Sequence, residues 1–123
     1  MINYRIVDKT FQFSLKVMEL YVLLLKQGEI ELAEKILKHS LVIRENIEES
    51  FSSITMQDNV GKLSEALHNA AQVRFWLKLI QMKNIVHNCC DETVEGINEI
   101  INILNYLSLE NNNYRINLQY QLN

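Results

Sequence analysis

Proline is absent from all 123 residues of this chain, and glycine occurs only three times, at Gly28, Gly61 and Gly96. Proline breaks a helix by removing an N–H and crowding the preceding turn, and glycine weakens one through its backbone freedom. A chain so poor in both, with 48% hydrophobic residues, reads as a few long helices around one core of ordinary domain size.

Periodicity places four helices. The first runs from an N-cap at Asp8 to a C-terminal glycine at Gly28 and carries two apolar stripes. Phe11, Leu15, Met18, Val22 and Leu25 keep heptad spacing, while Phe13, Val17, Leu20 and Leu24 lie on nearly the opposite side. One stripe suits a bundle core and the other a subunit interface, because large exposed apolar patches are rare on monomers. The second helix, 29–50, presents Ala33, Ile36, Ser40, Ile43 and Ile47. The third opens on Thr55-Met56-Gln57-Asp58, a capping box, and presents Leu63, Ala66, Ala70, Val73, Leu77 and Ile80. Small residues at Ala33, Ser40, Ala66 and Ala70 allow the second and third helices to approach closely. The fourth begins within 88–91 and carries Val94, Ile97, Ile101 and Leu104, widened by Ile100, Ile103 and Leu107. Short connections favour antiparallel neighbours.

Charge adds a constraint that periodicity does not. Residues 1–28 hold four basic and two acidic side chains, and 51–88 hold the same; 29–50 hold three and six, and 89–123 hold one and five. In an up-down-up-down bundle every neighbouring pair then has opposite sign, a modest preference because exposed pairs are individually weak. The net charge of −3 argues against a surface devoted to nucleic-acid phosphate, which is bound through clustered Lys and Arg. The N-terminus shows no signal-peptide pattern, and the longest apolar run, 20–25, is far below the roughly 20 residues that span a bilayer. Cys89 and Cys90 are adjacent and read as reduced thiols. These features lead to the expectation of a cytoplasmic protein that does not enter a membrane.

Three blocks carry a family resemblance. Val7-Asp8-Lys9-Thr10-Phe11-Gln12-Phe13, Asn46-Ile47-Glu48-Glu49, and Lys62-Leu63-Ser64-Glu65-Ala66 followed by Phe75-Trp76-Leu77-Lys78-Leu79 resemble the short four-helix bundle proteins encoded in intervening sequences of bacterial large-subunit ribosomal RNA genes. The resemblance spans 7–107. It implies an antiparallel four-helix bundle assembled as a ring, a homopentamer. It also implies kinship with the accessory protein of diversity-generating retroelements, which has the same bundle and binds nucleic acid and a reverse transcriptase. Where relatives tend to carry glutamates in the third helix this chain has Asn69 and Gln72, and it is acidic where the nucleic-acid-handling accessory proteins are basic.

The candidate site is a polar cluster of Asn46, Glu48, Glu49, Asn69, Gln72, Arg74 and Trp76. Glu45, Glu48 and Glu49 sit near a helix C-terminus, where the dipole disfavours negative charge, so Lys62, Arg74 or Lys78 should compensate. The Arg74 fork suits a carboxylate such as Glu49, in the same subunit or the next. Such a cluster either cross-links helices or forms a partner pocket. Trp76 beside Phe75 divides between core and interface more readily than it forms a base-stacking platform.

A metal-enzyme reading rests on one Glu-x-x-His, Glu65 to His68, where di-iron bundles use two. His87-Asn88-Cys89-Cys90 lacks the two spaced pairs of a structural zinc site. No cofactor, metal or enzymatic activity is expected.

The tail after the bundle, 111–123, departs from the helical pattern. Tyr114, Ile116, Leu118, Tyr120 and Leu122 alternate with polar residues, as do Ile2, Tyr4 and Ile6, and Asn-Tyr-Arg-Ile occurs at both 3–6 and 113–116. The alternation predicts a short extended segment at the termini that clasps the bundle, or else a frayed tail. The sequence thus predicts an all-α, antiparallel up-down-up-down four-helix bundle over 1–110 with a C-terminal tail over 111–123. It is expected to act as a non-enzymatic, self-assembling interaction or scaffold protein, with an unknown protein partner also open. The competing expectation is a nucleic-acid-binding or reverse-transcriptase accessory factor.

Overall fold

The computed structural model describes the backbone of 2–87 and 90–122, and the side chains of 5–87 and 90–111. Four helices follow one another: α1 (Ile2–Lys26), α2 (Ile30–Phe51), α3 (Met56–Lys83) and α4 (Asp91–Leu122). Cross-helix pairs fix their directions. Lys9 meets Glu99 and Lys16 meets Glu92, so α1 and α4 run antiparallel. His39 meets Asn69 and Glu49 meets Lys62, which sets α2 against α3. Arg74 faces Asn98 and Gln81 faces Asp91, so α3 opposes α4. The result is the expected up-down-up-down bundle, with α1 and α3 on one diagonal and α2 and α4 on the other.

One face of each helix supplies the core. Phe13, Val17, Leu20 and Leu24 of α1 pack with Ala33, Ile36, Ile43 and Ile47 of α2, Leu63, Ala66, Ala70, Val73, Leu77 and Ile80 of α3, and Ile97, Ile100 and Leu104 of α4. Burying each large aliphatic side chain contributes about 1.5–3 kcal/mol. The α2–α3 contact is the most extensive of the four neighbouring pairs and α1–α4 the least, as the alanines and Ser40 on the α2–α3 side allow. On the α4 side, Gly96 lets the Phe13 ring come so close that a Cβ there would sit 3.3 Å from Cδ2.

Connections are set by backbone chemistry. After α1, Glu29 N–H donates to the Leu24 carbonyl and Gly28 N–H to that of Leu25, with Gly28 at φ 80, the Schellman closure that glycine permits. Asn84 repeats this closure after α3 at φ 51, Ile85 N–H reaching Ile80 and Asn84 N–H reaching Gln81. Thr55 caps α3 by accepting from Asp58 N–H at 3.1 Å.

Both ends correct the expectation of extended segments. α1 begins at Ile2 rather than at an N-cap on Asp8, and α4 continues as helix to Leu122. An isolated strand leaves its backbone groups unpaired, whereas prolonging an existing helix adds one hydrogen bond per residue without a new nucleation cost. The side chains of the alternating tail, 112–123, lie outside the described residues. No described helix is long and apolar enough to cross a membrane.

Candidate functional site

The sequence-selected polar residues divide between three places. Asn46, Glu49, Asn69, Gln72 and Trp76 all face the seam between α2 and α3, recurring at spacings of three and four along each helix. Asn46 and Asn69 are buried and Gln72 and Trp76 half-buried. Glu48 instead points outward and pairs with Arg44 one turn earlier at 3.1 Å. Arg74 turns to α4, its guanidinium 3.4 Å from Asn98 Oδ1. It is therefore not the partner of Glu49 within the chain. That partner is Lys62, at 2.7 Å, whose ammonium donates to the carboxylate and is held above the usual lysine range by it. Of Lys62, Arg74 and Lys78, Lys62 alone compensates Glu49; the antiparallel run of α3 carries Arg74 and Lys78 toward the other end of α2.

The centre of the seam is a residue that sequence reasoning missed. His39 Nδ1 lies 2.7 Å from Asn69 Oδ1, while Asn69 Nδ2 donates to the Glu65 carbonyl at 2.9 Å. Since the amide oxygen can only accept, the imidazole must donate from Nδ1, which fixes its neutral tautomer. The ring also meets Trp76 edge to face, centroids 5.0 Å apart, a favoured aromatic arrangement. With Asn69 bonded at one end and Trp76 packed against it, the ring forms a fixed cross-link between α2 and α3. The sequence signal for His39 was weak: it lies between Lys38 and the core residue Ser40, one turn beyond Ile36.

Asn46 is the anomaly of the seam. It is only 4% exposed, yet its Nδ2, like the Ser40 hydroxyl, finds no hydrogen-bond partner among the described residues. At the bundle end a second strap was also missed. Asn59 Nδ2 donates to the Ser50 carbonyl at 2.6 Å and its Oδ1 accepts from Asn111 Nδ2, tying α2, α3 and α4 together. Beside it an open cleft of about 950 Å³ is lined by Glu49, Ser52, Thr55, Asp58, Lys62 and Glu65 among others; its charges are mixed in sign and solvated.

The metal-enzyme residues do not converge. Glu65 and His68 lie on the exposed outer face of α3, away from the Leu63–Ala66–Ala70 core line, whereas di-iron bundles project such ligands inward. His87 meets Asn84 at the α3–α4 turn, Cys90 is buried, and Asn88 and Cys89 fall outside the described residues. Among the described residues no three His, Cys, Asp or Glu side chains cluster to hold a metal.

The strongest feature of the surface is apolar. While Phe13, Val17, Leu20 and Leu24 are buried, Phe11, Leu15, Met18, Val22 and Leu25 remain in solvent, Met18 58% exposed. The two stripes of α1 thus separate into an inner and an outer one. On α3 a shorter outer stripe, Phe75, Leu79 and Met82, follows the same helical spacing, with Phe75 60% and Met82 84% exposed.

This architecture has a solved counterpart. The chain is similar to a crystal structure of a protein of unknown function from the S23 ribosomal protein family of Bacteroides thetaiotaomicron, with a TM-score of 0.81 and 25% identity, over 88% of this chain and 98% of that one. No family model matches the sequence, and no curated protein does.

Proposed function

We propose that this protein is a non-enzymatic, self-assembling scaffold whose subunits associate through the outer face of α1. The observation that carries the reading is the exposed heptad stripe Phe11, Leu15, Met18, Val22 and Leu25 on a helix whose other face already fills the core. Such spacing matches the seam one helix presents to another, and an unbroken apolar stripe of this length is unfavourable on a monomer. A homopentameric ring is the assembly that the resemblance to the intervening-sequence bundle proteins supports. The likeness to the S23-family structure supports kinship with that family.

Nucleic-acid binding or reverse-transcriptase assistance is the weaker reading. Lys9, Lys16, Lys35, Arg44 and Lys62 are each engaged by a carboxylate, leaving fewer cations to displace counterions from phosphate.

The test is a double substitution, Leu15→Glu with Met18→Glu, followed by sedimentation velocity and circular dichroism. Both positions are exposed, so helicity should persist while the assembly falls to single chains. An unchanged sedimentation coefficient would remove the α1 face from the assembly.

A further inference from the structure

We infer that the assembly contact is heterologous: the outer stripe of α1 in one copy docks on the Phe75–Leu79–Met82 stripe of α3 in the next. This rests on the self-assembly reading and specifies its surfaces. The two stripes lie on the diagonal helices α1 and α3, each on the side away from the shared core, so they face opposite sides of the bundle. Contact of α1 with α1 through a twofold axis would cover one stripe and leave Phe75 and Met82 in water. Contact of α1 with α3 covers both in every interface.

The charged borders agree. Asp8 lies three residues before Phe11, and Glu19 lies four after Leu15 and three before Val22, so each sits one turn from the α1 stripe. On α3, Lys78 lies three after Phe75 and four before Met82, and Lys83 four after Leu79. All four are exposed, and among the described residues none is in an ion pair within the chain. Lys26, four after Val22, is exposed and unpaired among the described residues too and tempers the acidic border at the C-terminal end of α1. Over the rest of its length the α1 stripe is bordered by acid and the α3 stripe by base, which favours the unlike pairing over either like one. Head-to-tail contact repeats from copy to copy, closing into a ring when the rotation per copy permits.

Two blocked variants separate the possibilities by light scattering. Leu15→Glu/Met18→Glu leaves α3 intact, and Phe75→Glu/Met82→Glu leaves α1 intact; all four positions are exposed, and circular dichroism verifies the fold. Each variant alone should run as a single chain, and an equimolar mixture should give a species of two chains and no larger one, because one competent interface remains per pair. If the α3 variant keeps the wild-type mass, or the mixture yields no two-chain species although wild type assembles, the α1–α3 pairing is wrong while self-assembly stands. A wild type that is itself a single chain would overturn both, leaving the stripes to a different protein.

Discussion

The seam between α2 and α3 contains two buried asparagines with opposite circumstances. Asn69 has both ends of its amide occupied, by His39 and by the Glu65 carbonyl, whereas Asn46 Nδ2 has no protein acceptor among the described residues. Replacing a satisfied buried amide abandons its partners, but replacing an unsatisfied one removes a desolvation cost. Asn69→Leu should therefore lower unfolding free energy by about 1–3 kcal/mol, and Asn46→Leu should leave it unchanged or raise it, both read from urea midpoints. Glycine offers a similar contrast. Gly61 is inside α3 with nothing within 4 Å of an added Cβ, so Gly61→Ala should stabilise by about 0.5–1 kcal/mol. Gly28→Ala should destabilise, because φ 80 is strained for alanine. Sequence marked Asn46 through the Asn46-Ile47-Glu48-Glu49 block that carries the resemblance, and Asn69 as a departure from it. It did not mark His39 or Asn59, whose roles depend on residues 30 and 52 positions away, a distance that no local pattern encodes.

Among the elements, α1 and α4 are the neighbours in least extensive contact, and two ion pairs at the surface cross between them. Lys16 donates to Glu92 at 2.6 Å, which holds the Glu92 carboxyl below the usual carboxylate range and the Lys16 ammonium above the usual lysine range. A depressed carboxylate stabilises the fold above its ordinary value and loses that contribution as pH falls through the lowered one; a raised lysine stabilises below its ordinary value and loses it as pH rises through the raised one. The pair thus acts fully between the ordinary values of 4.5 and 10.5. The gap in urea midpoint between wild type and Glu92→Gln should be widest in that window, shrink in acid, and shrink at high salt, as both groups are exposed. A gap independent of pH would show that the loss comes from packing.

The stripes of α1 were legible because periodicity of 3.6 separates inner from outer faces. The ends were not: alternation at Tyr114–Leu122 has the period of a strand, but α4 is already nucleated and extends through it. Asn84 likewise ends α3 in a conformation that glycine usually takes, a substitution that hides the boundary from sequence.

At the scale of the whole molecule, the alternating charge of the four segments matches the topology. Positive α1 and α3 occupy one diagonal, and the cross-helix ion pairs Lys9–Glu99, Lys16–Glu92 and Lys62–Glu49 join helices of opposite sign. Neighbours attract and like-charged helices stay apart, which reinforces the arrangement that the four apolar faces demand. The bundle buries the inner apolar faces of its helices while leaving the α1 stripe and the shorter α3 stripe uncovered. The central claim is that other copies of the chain cover them. The most direct test is the mass of the wild-type protein by light scattering coupled to size exclusion, over a range of concentrations. A stable multiple of the chain mass, five for the ring that the resemblance implies, is the predicted result. A mass of one chain at every concentration would contradict it.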